Sequence, residues 1–220
     1  RFCGTQFAFG CFHGFLDSAF RTDLSGLAEA EKACRSLGNE VSGPVASCIH
    51  GIGHGVASFY QTSKLTEALH SCDNLSEPVR PYCYDGVFME FERNTPESFY
   101  KADDLLYPCS EIDSKYIFAC GRNQPQVLLN RFKKKYPEVA NICLTSLNED
   151  LKSACTDALG FIAAAQGKGD PPHVVGLCQQ LLDPQYISAC TKAAAGEIIF
   201  QEMPQWYDRA PQVCASLPQL

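Results

Sequence analysis

The feature that most constrains the fold of this chain is the regular spacing of its cysteines. Six of the 13 cysteines follow one another at separations of 37, 35, 37, 35 and 35 residues. These six, which we call the second cysteines, are Cys11, Cys48, Cys83, Cys120, Cys155 and Cys190. A period of this length that recurs through a chain of 220 residues is typical of stacked helical repeats.

Another cysteine precedes each second cysteine, by 8, 14, 11, 11, 12 and 12 residues in turn. These first cysteines are Cys3, Cys34, Cys72, Cys109, Cys143 and Cys178. No Cys-x-x-Cys motif occurs, which excludes zinc-ribbon and haem-attachment sites. A dense and regular cysteine framework indicates disulfides and an oxidising compartment.

Each period predicts two helices. Helix B begins at the second cysteine, as in CIHGIGHGVASFYQ, and helix A ends near the next first cysteine, as in KLTEALHSC. Start signals precede three A helices, at Thr95-Pro96, Asp170-Pro171 and Ser63. Helix breakers lie between A and B at Gly43-Pro44, Pro81 and Pro184. Strand signals are sparse, so we predict an all-α fold, a right-handed α-solenoid of about six αα-hairpins.

One disulfide is expected in every hairpin, because the end of helix A and the start of helix B lie on either side of one turn. Closing a loop of about 12 residues stabilises the folded state by about 3 kcal/mol in the chain-entropy model. A single hairpin buries too little surface to fold alone. The predicted disulfides therefore pair each first cysteine with its second cysteine.

Small residues occupy the position three after several second cysteines. Glycine stands there at Gly14, Gly51 and Gly86, and alanine at Ala158 and Ala193. Small side chains at a helix crossing let two backbones approach closely. Asn123 departs from this pattern, and Pro125 predicts an irregular fourth unit.

The pairing leaves Cys214 unpaired, where a seventh first cysteine is expected. The chain also begins inside a repeat, because no helix A precedes Cys3. We therefore expect residues 1–220 to form a single helical-repeat array that is part of a longer chain.

Charge and hydropathy exclude some classes of function. The net charge is −7 and the isoelectric point is near 5.2, which argues against a general nucleic-acid-binding protein. A hydrophobic content of 45% is enough for a packed core. No apolar run approaches the roughly 20 residues that span a bilayer, so we expect no membrane span.

The spacing resembles that of cysteine-rich, tetratricopeptide-like repeat proteins secreted by some bacteria, in which each αα-hairpin is closed by one disulfide. EKACRSL at 31–37 is similar to the segment that precedes the second cysteine in that family. The resemblance implies a secreted, disulfide-stapled array. CIHGIGH from Cys48 also resembles a Cys-x-His-Gly-x-Gly-His motif of uncharacterised extracytoplasmic proteins, which implies no particular activity.

Histidines lie at two positions of helix B that share one helical face. Counted from the second cysteine, offset two carries His13 and His50, and offset six carries His54. Neighbouring helices in a stack lie about 8–10 Å apart, so these imidazoles can converge. With the nearby carboxylates they suit Zn²⁺ or Cu²⁺. The predicted metal site comprises His13, His50, His54, Asp17 and Asp85.

A structural role for these histidines is the main alternative. Offset two is predicted to lie in the first turn of helix B, where Asp85 and Asp157 favour the helix dipole and a histidine can donate to a neighbouring carbonyl. A His-x-x-x-His pair without the glutamate of HExxH is a weak catalytic signal. His70 and His173 are expected at the surface.

No hydrolase elbow, phosphate loop or dinucleotide motif is present. We expect a binding protein rather than an enzyme: a secreted, periplasmic or cell-surface module, the subunit of a larger assembly, with a His-based metal site and a protein partner on its concave face. One alternative is a metalloenzyme or metal carrier for Zn or Cu that uses His13, His50 and His54. Another is a purely structural array.

Overall fold

The structure is a computed structural model that describes residues 10–39, 42–61 and 64–217, without the side chains of Phe12 and His13. These residues form helices and turns and contain no β-strand, which confirms the all-α prediction. Their α-helices are α1 (Gly10–Phe20), α2 (Leu27–Arg35), α3 (Gly43–Phe59), α4 (Leu65–Cys72), α5 (Arg80–Asn94), α6 (Ser114–Asn130), α7 (Tyr136–Leu144), α8 (Glu149–Gln166), α9 (Pro171–Cys178), α10 (Pro184–Phe200) and α11 (Trp206–Ala215). None of the described helices is long and apolar enough to cross a membrane.

The chain divides into two compact units, Arg1–Phe99 and Tyr100–Leu220. In the first unit the long helices α1 and α5 both pack against α3. The shorter helices α2 and α4 pack against these long helices. Long helices thus alternate along the chain with short ones, as predicted for helices B and A. The helical repeat is therefore present in this unit.

The second unit repeats the arrangement. Helix α8 packs against both α6 and α10, while the shorter helices α7, α9 and α11 pack along this row. Its core is aliphatic, and among its fully buried side chains are Leu128, Leu159, Leu181, Val174 and Ile198. A single right-handed solenoid of six hairpins over residues 1–220 stays a prediction.

Disulfides close the hairpins as predicted. Five bonds are present among the described residues: Cys34–Cys48, Cys72–Cys83, Cys109–Cys120, Cys143–Cys155 and Cys178–Cys190. Their Cα–Cα distances are 5.4 to 5.8 Å, within the range that the bond requires. Cys3 lies outside the described residues, so its pairing with Cys11 stays a prediction. Cys214 is exposed and free, as expected.

The B helices begin earlier than predicted. Helix α3 begins at Gly43 rather than at Cys48, and α5 begins at Arg80. Pro44, Pro81 and Pro184 lie in the first turns of their helices. A proline is tolerated there because the first N–H groups of a helix have no intrahelical partner. These prolines therefore start the B helices rather than break the joints before them.

Because the B helices begin earlier, offset two no longer lies in the first helical turn. Asp85 and Asp157 lie well past the first turns of α5 and α8. The helix dipole acts mainly on the terminal turn, so the prediction that it explains these two acids is wrong. Their partners must be sought on neighbouring helices.

The predicted A helix before Cys109 is absent. Thr95-Pro96 starts only a short 3-10 helix, Glu97–Phe99, and the hydroxyl of Thr95 caps nothing. Side chains hold the following segment in turns instead. Asp104 accepts hydrogen bonds from the Leu106 N–H and the Ser110 hydroxyl, and Gln124 donates to the carbonyls of Leu105 and Tyr107. By contrast, Asp170 caps α9 as predicted, and Ser63 lies outside the described residues.

The irregularity predicted at Pro125 is also wrong, because α6 runs continuously through this proline. Pro125 is buried, and the Asn123 amide donates to the Ala119 carbonyl one turn earlier, at 3.0 Å. Packing of α6 against α8 outweighs the helical hydrogen bond that proline removes. The irregular part of this repeat is thus its A segment.

Glycines lie where α3 and α5 cross. A Cβ atom at Gly53 would lie 2.1 Å from the Cys83 carbonyl oxygen, and one at Gly86 would lie 2.1 Å from the His50 carbonyl oxygen. Real Cβ atoms do not approach so closely, so the two backbones meet only because both residues lack side chains. The small-residue prediction is confirmed at Gly86, whereas a Cβ at Gly14 would meet nothing within 4 Å. Gly51 is buried in α3.

We expect the double variant Cys143→Ala/Cys155→Ala to lose about 3 kcal/mol in free energy of unfolding. The disulfide joins cysteines 12 residues apart and so restricts the conformations of the unfolded chain. Urea denaturation under non-reducing conditions measures this loss. Cys214→Ala, which removes an exposed thiol, should change stability by less than about 0.5 kcal/mol. Equal effects of the two changes would contradict a stabilising disulfide.

Gly86→Ala should destabilise the protein by about 3 kcal/mol, because its methyl group would push against the backbone of α3. Gly14→Ala is the matched control at the same offset. It should be neutral or stabilise by about 0.5–1 kcal/mol, since alanine is the better helix former. Thermal denaturation distinguishes the two, and a tolerated Gly86→Ala would show that the crossing is not limited by sterics.

Candidate metal centre

The crossing of α3 and α5 brings two histidines and two carboxylates together in the first unit. His50 and His54 lie one turn apart on α3, and Asp85 and Glu90 lie on α5. Because Gly86 lets the helices touch, short acidic side chains of α5 reach the imidazoles of α3. The four side chains form one continuous chain of polar contacts.

At the centre of this chain, the two imidazoles face each other through the same ring atom. The Nε2 atoms of His50 and His54 are 3.1 Å apart, and the ring centroids are 4.9 Å apart at an interplanar angle of 63°. The pair is therefore tilted edge to face rather than stacked. The two Nε2 atoms therefore lie next to each other.

The other nitrogen of each ring faces a carboxylate. His54 Nδ1 is 2.7 Å from Glu90 Oε2, and His50 Nδ1 is 3.1 Å from Asp85 Oδ2. An ionised carboxylate only accepts hydrogen bonds, so His54 Nδ1 carries a proton and donates it to Glu90. The contact of His50 Nδ1 with Asp85 favours a proton on that nitrogen as well. In neutral rings this leaves the Nε2 atoms with lone pairs. Asn94 also donates from its side-chain amide to the second oxygen of Glu90.

Burial keeps His54 in its neutral form. Its side chain is only 3% exposed, whereas His50, Asp85 and Glu90 are between 13% and 17% exposed. Burial lowers the pKa of His54 below its ordinary value of 6.5, because the charged imidazolium loses its hydration. The hydrogen bond to Glu90 raises this pKa but does not outweigh burial, and electrostatic interaction with His50 and Arg93 adds to the lowering. A neutral imidazole is the form that binds a metal.

The predicted set of five ligands is only partly brought together. His50 and His54 converge, whereas Asp85 lies behind His50, at its Nδ1. Asp17 instead accepts a hydrogen bond from the Ser58 hydroxyl and pairs with Arg21 at 3.0 Å. The His13 side chain lies outside the described residues. Within the part of the chain that the structure describes, no three His, Cys, Asp or Glu side chains are grouped so as to hold an ion.

Sequence analysis missed Glu90 and Asn94. It followed offsets two and six from the second cysteine, whereas Glu90 lies at offset seven. One pattern in the sequence does point to them. Gly86, Glu90 and Asn94 follow one another at intervals of four residues, which places them on one face of α5. His70 and His173 are exposed, as predicted.

The second unit carries different chemistry on the corresponding face of its B helices. Offset two is Arg122 in α6, Asp157 in α8 and Lys192 in α10. The Arg122 guanidinium lies 5.0 Å from the centre of the Phe161 ring. A groove of about 830 Å³ lies along this face, and its lining is Asp157, Phe161, Gln185, Ser188, Ala189, Lys192, Ala193 and Gly196. This volume lies within the range of small-molecule pockets.

Two half-buried acids border the groove region. Burial raises the pKa of Asp157, while the Arg122 charge acts in the opposite direction. Burial likewise raises the pKa of Glu197, although a hydrogen bond from Gln201 and the Arg122 charge both lower it. Arg122 thus acts electrostatically on both acids. For Asp157 the nearby charge is therefore Arg122 of the neighbouring helix α6 rather than the helix dipole.

Comparison of the chain with protein-family models, with curated proteins and with solved structures finds no match. The geometry of the site is therefore the basis for assigning a function.

Asp157→Asn should stabilise the second unit at neutral pH. A carboxyl group with a raised pKa in the folded state binds its proton more tightly there, so its favourable contribution is present below its ordinary pKa of 3.8 and is lost as the pH rises through the folded value. The gain from the amide should therefore shrink near about pH 3. Urea denaturation at the two pH values tests this, with the exposed Asp103→Asn as control. A gain that is independent of pH would contradict the shift.

Proposed function

We propose that the protein is an extracytoplasmic helical-repeat binding module whose first unit binds one divalent transition-metal ion through the Nε2 atoms of His50 and His54. The observation that carries the proposal is the approach of these two atoms to 3.1 Å while both Nδ1 atoms face carboxylates. Zinc and copper are the ions that such nitrogen donors suit best.

The distance between the two nitrogens fits a shared ion. With metal–nitrogen bonds of about 2.0–2.1 Å, a separation of 3.1 Å corresponds to a nitrogen–metal–nitrogen angle of about 100°. This angle lies between the square-planar and tetrahedral values. Two histidines one helical turn apart can therefore occupy adjacent coordination positions without rearrangement of α3.

The carboxylates also fit. Metal-binding histidines in proteins commonly donate their other N–H to a carboxylate, which orients the ring and makes it a better ligand. Asp85 and Glu90 are in this relation to His50 and His54. In the proposal Asp85 is therefore an outer partner rather than a direct ligand, and His13, on the adjacent helix α1, is the expected third nitrogen donor.

We propose that the protein is a secreted, periplasmic or cell-surface helical array. Five disulfides are consistent with an oxidising compartment outside the cytoplasm. We propose that the hairpins continue as a right-handed solenoid, that a protein partner binds its concave face, and that the module is a subunit of a larger assembly. The groove beside Asp157 and Lys192 supports a binding role for the second unit.

A structural role is the second candidate, and one observation favours it. A separation of 3.1 Å between two Nε2 atoms is also that of a hydrogen bond, which forms if one ring holds an additional proton. The chain from Asp85 to Glu90 then serves only to join α3 to α5. This candidate predicts the same geometry but no bound ion.

We expect the oxidised, chelator-treated protein to bind one Zn²⁺ or Co²⁺ ion per chain in calorimetric titration. His50→Ala should weaken binding by more than about 100-fold, because loss of an outer-shell partner alone weakens metal binding 10–100-fold. The Co²⁺ absorption spectrum reports the nitrogen ligands directly.

His70→Ala and His173→Ala, which remove exposed histidines outside the pair, are the matched controls and should bind like the unmodified protein. Absence of a stoichiometric ion in the unmodified protein would refute the metal site. If His50→Ala then lowers the melting temperature strongly, the structural candidate is favoured.

A further inference from the structure

We infer that Glu90, oriented by Asn94, is a positioning residue that fixes the tautomer in which His54 can bind a metal, and that Asp85 and Glu90 together select a divalent over a monovalent ion. This inference rests on the proposed metal site, but its central step concerns hydrogen-bond direction in the metal-free protein and is testable without an ion.

The direction of the hydrogen bonds follows from the donors and acceptors present. Glu90 uses one carboxylate oxygen to accept from His54 Nδ1, at 2.7 Å, and the other to accept from the Asn94 amide. Because an ionised carboxylate has no proton to give, the proton must lie on Nδ1. His54 Nε2 then presents a lone pair toward His50 Nε2.

The pair of Glu90 and Asn94 makes this arrangement sensitive to a single change. In Glu90→Gln the side chain keeps one acceptor oxygen and gains an N–H₂ group. The Asn94 amide, which donates to Glu90, can then turn either its oxygen or its N–H₂ group toward Gln, so this pair no longer fixes which Gln group faces His54 Nδ1. The His54 proton is then divided between Nδ1 and Nε2, and only part of the molecules keep the Nε2 lone pair that a metal needs.

A second change should reverse the first. In Glu90→Gln/Asn94→Asp, the new carboxylate accepts from the Gln N–H₂ group, which turns the Gln oxygen toward His54 Nδ1. The proton returns to Nδ1. The double variant also has the net charge of the unmodified chain, because one acid is lost and one gained. It therefore separates hydrogen-bond direction from overall charge.

The same carboxylates define the class of ion. Asp85 and Glu90 contribute two negative charges directly behind the two imidazoles, which balance a dication in this largely buried setting. A monovalent Cu⁺ or Ag⁺ ion prefers two nitrogens on opposite sides, about 4 Å apart if each bond is about 2.0 Å. The 3.1 Å separation observed here is too short for that arrangement.

The experiment compares the unmodified protein, Glu90→Gln, the double variant, and Glu67→Gln, which alters an exposed acid of the same unit. Nitrogen-15 NMR of the metal-free proteins reports the His54 tautomer. Calorimetry measures Zn²⁺ affinity, with Ag⁺ as the monovalent probe, and all these proteins carry Cys214→Ala because the exposed thiol would itself bind Ag⁺.

We expect Glu90→Gln to populate both tautomers of His54, and to weaken Zn²⁺ binding about 10–100-fold because the outer carboxylate is lost. The double variant should restore the Nδ1 proton and most of the affinity, and Glu67→Gln should change neither. Zn²⁺ should bind more tightly than Ag⁺ to the unmodified protein.

Each contrary result has a distinct meaning. If the unmodified protein binds Zn²⁺ and Glu90→Gln binds it equally well with an unchanged tautomer, the role of Glu90 is refuted while the metal site stands. If the double variant does not recover, hydrogen-bond direction is not the cause. If Ag⁺ binds more tightly than Zn²⁺, the selection of a divalent ion is refuted. If no metal binds at all, the proposed function fails, and the tautomer shift alone then decides whether Glu90 orients His54.

Discussion

The contact of α3 with α5 at Gly53 and Gly86 is the constraint on which the candidate site depends. With carbonyl oxygens only 2.1 Å from where each Cβ would be, the helices meet backbone to backbone. At this spacing Asp85 and Glu90 reach the imidazoles of His50 and His54 directly. A side chain at either glycine would separate the helices and open the polar chain at both ends.

Close crossings of this kind recur between the other long helices. In the first unit Gly55 of α3 faces the Leu16 carbonyl of α1, and in the second unit Gly160 of α8 faces the Cys190 carbonyl of α10. The backbone framework is thus similar from repeat to repeat, while the residue at offset two changes from histidine to aspartate, arginine or lysine. A constant framework with variable side chains at one position is how a repeat fold acquires different binding sites.

Much of this architecture follows from the spacing of the cysteines, because the period determines both the hairpin length and the pairing of its ends. What the spacing does not predict depends on contacts between distant residues. Thr95-Pro96 has the composition of a helix start, yet Asp104 and Gln124 hold the following residues in turns. Pro125 has the composition of a helix break, yet burial keeps it within α6. In the site, the His50–His54 pair is visible in the sequence, whereas Glu90 appears there only in a row with Gly86 and Asn94, and its role follows from the contact of α3 with α5.

The disulfides have a consequence for how the chain is made. Each described bond joins cysteines only 11 to 14 residues apart, so both partners of a hairpin leave the biosynthetic machinery almost together. Each of these bonds can therefore close before the next hairpin has been made. A chain with 13 cysteines has very many wrong pairings available to it. Local closure disfavours most of them, because every described bond joins a cysteine to its nearest neighbour among the cysteines of the chain.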